Sequence, residues 1–372
     1  MDHKIKILFV TRGLSFGGLE RVVINLCRYI DKDVFEPVVA CLNRRGEQAF
    51  EIEEMGIRLY NVNPNPNKFS KYFTWFSLLK IIRKESIDIV HSHNTGPFLD
   101  ARLALLFQKK KILFFHTDHA RAFPDQFRYM FAEFISSFRA NKIVAVSYEL
   151  KKQLIKHEKI SPRKIEVILN GVAQPDKPSI EYLEHLKKKI FPRSFEFVIG
   201  LGVVLSDQKG IIHLIHAATK ILQVYPDTGF LIAGDGPSRK YLEEKVAHLG
   251  LGDNFVFLGF RKDIPILLYL LDVYVFPSEW EGLPLAILEA MAAERCILST
   301  DVGGIPLALT DSSTAVLVPP KRSDLLAKGA ICLLANSQLR DKLANRAKQV
   351  FHQKFDVNVM VKSYEKLYLK DH

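Results

Sequence analysis

No run of about 18 uncharged apolar residues occurs in the chain, so no segment is expected to cross a membrane as a helix. The start, MDHKIKILFVTRG, passes straight into a strand pattern, and we expect no signal peptide. Cysteine is scarce: Cys27, Cys41, Cys296 and Cys332 are scattered, with no CxxC and no Cys/His cluster. That excludes a zinc ribbon or a disulfide framework and predicts four buried thiols in a reducing cytoplasm. A complete GxGxxG is also missing. Gly200-Leu-Gly-Val-Val-Leu205 lacks the third glycine, and there is no Walker sequence, so neither dinucleotide nor P-loop chemistry is indicated. Repeats and low-complexity tracts are absent.

What is present describes a globular protein. The 372 residues are 48% hydrophobic and 25% charged, enough for two domains. The net charge of +11 is uneven: residues 1–175 hold 28 Lys/Arg against 18 Asp/Glu, a balance of +10, and the rest hold 24 against 23. A basic first half suggests an anionic partner. Strand and helix patterns alternate throughout, which predicts parallel α/β sheets. Strands are expected at Ile5–Thr11, Glu36–Cys41, Arg58–Val62, Ile87–His91, Lys111–His116, Lys142–Ser147 and Ile165–Leu169. After the turn signal Asn170-Gly171 and a polar, proline-containing stretch, the alternation restarts at Glu196–Val204. We therefore expect a Rossmann-like domain at 1–172, a linker at 173–195, a second Rossmann-like domain at 196–354 and a closing helix at 355–372. Two doubly wound domains would bind a ligand at the C-terminal ends of their strands, in a cleft.

Several residues at those strand ends could carry chemistry. Glu281 and Glu289 stand eight residues apart, a Gly-Leu-Pro turn follows the first, and an apolar helix begins at Leu285. A helix start favours an anion, and carboxylates can hold sugar hydroxyls beside it. The loop Arg12-Gly-Leu-Ser-Phe-Gly-Gly-Leu-Glu20 lets backbone approach a phosphate or sugar through Gly17 and Gly18. Lys209-Gly210 opens a helix and suits a diphosphate clamp. His91, His93, His116 and His119 fall at adjacent strand ends. No carboxylate or cysteine near them has ligand spacing, so a sugar contact is expected there and no metal. Asp31-Lys-Asp33 matches a short DxD pattern but falls away from the expected cleft, as turn chemistry.

In combination these features resemble the retaining glycosyltransferases of the GT-B fold, family four (glycosyltransferases group 1). The matches run along nearly the whole chain: Gly17-Gly-Leu-Glu20, His91, His116, Val146-Ser147, Asn170-Gly-Val172, Lys209-Gly210, Gly234-Asp-Gly-Pro237, Pro277-Ser-Glu-Trp-Glu-Gly-Leu-Pro284, Glu289-Ala-Met-Ala292 and Asp301-Val-Gly-Gly-Ile-Pro306. The pair Glu281 and Glu289 matches the family's EX7E motif. The resemblance implies roles. Lys209 would bind the donor diphosphate and Glu289 the ribose. Glu281 with Gly282, Leu283 and Pro284 would hold the donor sugar and phosphate, and Phe260 and Arg261 would cradle the base. His116 would hydrogen-bond the sugar near the reacting centre, and Gly17 and Gly18 would complete the site from the other domain. It also implies no metal or other cofactor, a UDP- or GDP-linked co-substrate, and retention of configuration. Two departures stand out. Val203 and Val204 occupy the positions where such enzymes place an arginine, and Leu307 replaces a frequent glutamate. A catalytically degenerate binding subunit and a sugar-nucleotide epimerase of the same fold stay open as alternatives.

Two segments bear on the acceptor. Phe69-Ser-Lys-Tyr-Phe-Thr-Trp-Phe-Ser-Leu-Leu-Lys80 mixes aromatics with lysines, and Phe123, Phe127, Phe131, Phe134 and Phe138 recur at helical spacing among Arg121, Arg128 and Arg139. For each alone a stripe facing the domain core is the simpler reading. The +10 balance raises the membrane case for the domain as a whole. We expect a saccharide or lipid-linked acceptor, an anionic membrane surface at the inner face of the cell membrane as partner, a role in cell-surface polysaccharide or glycolipid synthesis, and no nucleic acid.

Overall fold

In the computed structural model, residues 4–15, 17–63, 73–119 and 125–371 are described. The chain divides into two units. One holds the residues up to Gly171 with those from Val357 onward, and the other is Val172–Asp356.

The first unit opens with β1 (Ile5–Thr11), α1 (Gly18–Tyr29), β2 (Phe35–Cys41), α2 (Ala49–Glu54) and β3 (Arg58–Asn61). It continues through α3 (Thr74–Glu85), β4 (Ile89–His93), α4 (Thr95–Leu106), β5 (Leu113–Asp118) and α5 (Phe127–Ser137), then β6 (Lys142–Ala145), α6 (Tyr148–Glu158) and β7 (Ile165–Val167). The second unit begins with α7 (Ile180–Ile190), inside the stretch expected as a linker, and β8 (Phe197–Gly202). It runs on through α8 (Ile211–Val224), β9 (Thr228–Ala233), α9 (Arg239–His248), β10 (Phe255–Gly259), α10 (Ile264–Leu267) and β11 (Val273–Phe276). Then come α11 (Leu285–Ala292), β12 (Cys296–Thr300), α12 (Ile305–Ala308), β13 (Val316–Val318), α13 (Ser323–Ala335) and α14 (Ser337–Lys354), before α15 (Val357–Asp371) returns to the first unit.

Each unit has one parallel sheet. The seven strands of the first are ordered β3-β2-β1-β4-β5-β6-β7, and the six of the second β10-β9-β8-β11-β12-β13. Central strands are buried on both faces, which is why they read as unbroken apolar runs. In both sheets the order reverses beside the first strand, between β1 and β4 and between β8 and β11. The loops leaving those strands diverge there and open a crevice at their C-terminal ends.

Local signals set several boundaries. Ser147 caps α6, its Oγ accepting from Leu150 N at 3.0 Å, and Asn336 caps α14 through Leu339 N at 2.9 Å. Helix α15 packs on α1 and buries Tyr364 and Tyr368. Tyr368 Oη lies 2.7 Å from His91 Nδ1, and Tyr364 Oη 3.1 Å from Thr117 Oγ1, so this helix is tied to β4 and β5.

Two expectations need correction. Cys27, Cys41 and Cys296 are buried, and burial pushes each thiol up to about 12, but Cys332 is exposed because α13 turns it away from its buried face. For α3 the core-facing stripe holds only in part: Leu78 and Leu79 of the expected segment are buried, with Ile81 and Ile82 beyond it, but Phe73 and Phe76 are exposed. It fails for α5, which buries Glu133, Ser136 and Ser137 and leaves Phe127, Phe131 and Phe138 exposed. Phe69 to Tyr72, Arg121 and Phe123 lie outside the described residues. Among the described residues no helix is long and apolar enough to cross a membrane.

Candidate functional site

The residues with the densest chemistry lie at the β8/β11 switch point of the second unit. Lys209 sits in the turn after β8. Gly210 follows with φ of 60°, and a Cβ there would stand 2.2 Å from the Pro277 carbonyl oxygen. Both the left-handed backbone and the close approach require glycine. The two loops are also hydrogen-bonded: Glu279 N donates to Gln208 O at 2.8 Å and Gln208 Nε2 to Trp280 O at 2.9 Å. This brings Lys209 Nζ within 2.5 Å of Glu281 Oε1, across 72 residues of sequence, with the Lys209 and Glu281 side chains 19% and 6% exposed. A short ion pair this shielded holds the ammonium in one place.

The backbone of Glu281 is pinned from its other side. Gly303 has φ of 56°, and a Cβ on it would lie 1.8 Å from Glu281 O. Next to it, Gly304 N donates to Gly282 O at 3.0 Å. The glycine pair of Asp301-Val-Gly-Gly-Ile-Pro306 thus lets the loop after β12 lie directly on the Glu281-Gly282 peptide. Helix α11 starts at Leu285, straight after Gly282-Leu283-Pro284. It buries Ile287, Leu288 and Met291 and keeps Glu289 half-buried. Its N-terminus, with the positive end of the helix dipole, stands at that loop. Tyr274 of β11 is 1% exposed. Burial first, then the charges of Glu289 and Glu281, hold its phenol well above the ordinary tyrosine range. Tyr274 is therefore neutral and lies near both carboxylates, a placement the sequence did not single out because it reads as one more strand residue.

The base-side residues are less open than expected. Phe260 is 50% exposed, but Arg261 is engaged by Asp263 through both ends of its fork, Nε to Oδ1 at 2.7 Å and Nη2 to Oδ2 at 2.6 Å. Its guanidinium therefore enters as half of a neutral pair. Val204 is 61% exposed, so an open position stands where the resemblance expects an arginine.

Gly17, Gly18 and His116 belong to the first unit. Gly17 is exposed and extended, and Glu20 folds its carboxylate back onto it: a Cβ there would lie 2.3 Å from Glu20 Oε2. The histidines change places relative to expectation. Strands β4 and β5 end two residues later than the sequence pattern indicates, so His91 and His116 lie inside the sheet. His116 is 1% exposed, stacks flat on Phe98 at 3.8 Å between centroids, and points Nδ1 at Ser92 O and Oγ, each 3.1 Å away. That geometry fastens β5 to α4 and β4. His119, just past β5, is the partly exposed ring, its Nε2 3.2 Å from Nδ1 of buried His93.

The four histidines do not gather as ligands of one ion. The grouping among the described residues that could hold a cation is a different one: carboxylate oxygens of Asp118, Glu133 and Glu158, all buried, lie within 4.8 Å of one another. Oxygen donors of this kind suit a hard cation. These residues come from β5, α5 and α6, so no local spacing could have revealed them.

Two doubly wound parallel sheets, one with a lysine-carboxylate pair at its switch point, define the GT-B class of two Rossmann-like domains. The model for glycosyl transferases group 1 matches residues 184–350, and that for glycosyltransferase family 4 matches residues 16–173. The chain belongs to this family and is a glycosyltransferase of the group 1 type. It is 27% identical over 332 residues, 83% of this chain and 85% of the relative, to the UDP-Gal:alpha-D-GlcNAc-diphosphoundecaprenol alpha-1,3-galactosyltransferase of Escherichia coli. A solved glycosyltransferase of Rickettsia africae is 24% identical and covers 99% of both chains with a TM-score of 0.86. Anabaena HepE in complex with UDP gives 0.84 at 21% identity, over 98% of this chain and 100% of that one. At these identities the two structures speak for the fold.

Proposed function

We propose that the chain moves a sugar from a UDP- or GDP-linked donor to a saccharide or lipid-linked acceptor, with retention of configuration and without a metal. The observation that carries this reading is the Lys209–Glu281 pair set beside the N-terminus of α11. An ammonium beside the positive end of a helix dipole stabilises a departing diphosphate as metal ions do elsewhere. Glu289, one helical face along, holds the ribose hydroxyls. Glu281 and the peptides of Gly282 to Pro284 hold the donor sugar and its phosphate. His119 takes the sugar-facing role expected of His116, because His119 is the ring at the strand end. Phe260 offers a face for the base. In the step itself, the acceptor hydroxyl attacks the anomeric carbon on the face the diphosphate leaves, the phosphate oxygen takes the hydroxyl proton, and no flanking carboxylate pair is needed. The name of the E. coli relative, with a UDP-linked sugar and a diphosphoundecaprenol-linked acceptor, supports a nucleotide-sugar donor and a lipid-linked acceptor. It also favours assembly of a cell-surface glycan at the inner face of the membrane.

The open Val204 position favours a second reading, a subunit that binds donor without turnover. Calorimetry with UDP, GDP and ADP, without metal and then with magnesium, separates the two when combined with a transfer assay. Metal-independent binding of one nucleotide is the expected result, with transfer abolished in Glu281→Ala and Glu289→Ala while both variants stay folded, Glu281→Ala melting a few degrees lower because it breaks the Lys209 pair. Full transfer in either variant refutes the site assignment.

A further inference from the structure

Helix α5 is built inside out. Its buried side chains are Glu133, Ser136 and Ser137, while Phe127 and Phe131, with Phe138 just past its end, are 77%, 53% and 66% exposed. Burial defines the inward face, and its polar groups are engaged there. Ser136 Oγ donates to Ala132 O at 2.7 Å and Ser137 Oγ to Phe134 O at 2.6 Å, and Glu133 lies against Asp118 and Glu158. With the polar side held inward, the rings face out.

A single exposed phenylalanine is ordinary, but this one has neighbours. Helix α4 packs against both α3 and α5. The first two add Phe73, Phe76 and Phe107, exposed by 62%, 46% and 57%. Trp75 stacks on Phe107 at 5.0 Å and joins the rings of α3 to the end of α4. Right-handed crossovers from β3 to β4, β4 to β5 and β5 to β6 put all three helices on one side of the sheet. Leu78, Ile82, Phe98 and Ala101 share a core cluster there with Leu8, Val10 and Val90. The outward sides therefore form one aromatic face.

The charge on that face has one sign. From Phe73 to Glu85, Thr95 to Lys111 and Phe127 to Phe138, every exposed charged residue is basic: Lys80, Arg83, Lys84, the Lys109–Lys111 run and Arg128. Glu85 and Glu133 are buried, and Asp100 accepts from Thr74 Oγ1 at 2.7 Å. Lys80 Nζ sits 4.6 Å over the Phe76 ring. Rings flanked by long cations are the composition that lies in a lipid headgroup layer.

We infer that this α3–α4–α5 face docks on an anionic bilayer, its phenylalanines in the headgroup layer and its lysines and arginines on the lipid phosphates. Lys110 is paired with Asp88 at 2.6 Å, and the other exposed charges stay positive, so two copies of this face repel each other, whereas an anionic bilayer complements it. The inference deepens the proposed function by naming the surface that would bring the enzyme to a lipid-linked acceptor, and it rests on that reading only for the acceptor.

The test uses the full chain, sedimented with vesicles of phosphatidylcholine plus phosphatidylglycerol and with vesicles of phosphatidylcholine alone. Nucleotide calorimetry and thermal melting are run on the same samples. The wild-type chain should partition onto the anionic vesicles. Phe127→Ser/Phe131→Ser/Phe138→Ser should lose about a hundredfold of that partitioning, each ring accounting for part of a full burial, with nucleotide binding and melting unchanged. Lys109→Glu/Lys111→Glu should lose more than about tenfold on anionic vesicles. Equal partitioning onto both lipids, or a triple variant that sediments like wild type, overturns the inference. So does a wild-type dimer that the triple variant abolishes, which would assign the face to a second copy. Should the triple variant misfold, Phe127→Ser alone gives the same discrimination through a loss of about fivefold. Absence of nucleotide binding in the wild-type chain would count against the transferase reading and leave the lipid result standing.

Discussion

Replacing Lys209 by methionine should separate two roles that one ammonium performs. The pair it forms with Glu281 is short, at 2.5 Å, and the carboxylate is only 6% exposed. Taking the cation away leaves that carboxylate in a poorly solvated place. Breaking a fully buried pair costs about 3–5 kcal/mol. Lys209 is 19% exposed and water reaches it, so we expect about 1–3 kcal/mol, or several degrees in Tm for a unit of this size. The same substitution removes a charge-assisted contact to the donor diphosphate, worth about 1.5–3 kcal/mol, which weakens nucleotide binding roughly 10- to 150-fold. The double variant Lys209→Met/Glu281→Gln tells the effects apart. A neutral amide strands no charge, so melting should recover while nucleotide affinity stays low. Calorimetry with the tightest nucleotide and thermal denaturation read both quantities. Nucleotide affinity unchanged in Lys209→Met would falsify the clamp; a double variant no more stable than the single one would show that the loss came from packing instead.

Arginine at the open position, Val204→Arg, should tighten metal-independent nucleotide binding about tenfold, less than a buried contact because Val204 is 61% exposed; an unchanged Kd points to another phosphate ligand. His119→Ala should lower kcat/KM about a hundredfold at a smaller cost in Tm, the loss of its contact to His93, while His116→Ala, which removes a buried ring stacked on Phe98, should cost about 2–4 kcal/mol of stability; the reverse pattern restores the role expected of His116. Acid should loosen the first unit. His91 is fully buried, and burial, with the nearby His119 as a smaller cause, lowers its pKa from 6.5 to about 3. Its neutral form therefore adds stability that is complete above about pH 6.5 and is lost as the pH falls toward 3, about 2 kcal/mol of it by pH 5. Melts that do not move between neutral pH and pH 5, or a His91→Asn variant with the same pH slope, contradict this.

The sequence order of apolar runs and glycines was enough to read two parallel α/β units, because strands buried on both faces and helices with one apolar stripe leave local periodic marks. The start of α11 at Leu285 and the lysine before Gly210 were legible for the same reason: they rest on the few residues around a turn. Strand ends were not. Whether β5 stops at His116 or Asp118 depends on pairing with β4 and β6, and a shift of two residues decides which histidine reaches the sheet edge.

Facing direction was also beyond local pattern. Phe127 and Phe131 of α5 repeat at the spacing of a core stripe, yet they point outward while Glu133, Ser136 and Ser137 face in, Glu133 beside Asp118 and Glu158 from other segments. Cys332 and Tyr274 teach the same lesson in opposite directions, one exposed on an apolar helix and one buried near two carboxylates. By itself the sequence determined the class of fold, the glycine positions and the residue types of the donor site, all of which follow from backbone sterics and short-range periodicity. Tertiary structure alone decided that Lys209 closes on Glu281, that Asp263 occupies Arg261, that His119 rather than His116 is the partly exposed ring and that an aromatic face looks outward. Each of these is a contact or an exposure set by segments far apart in the chain, and distance in sequence carries no record of closeness in space.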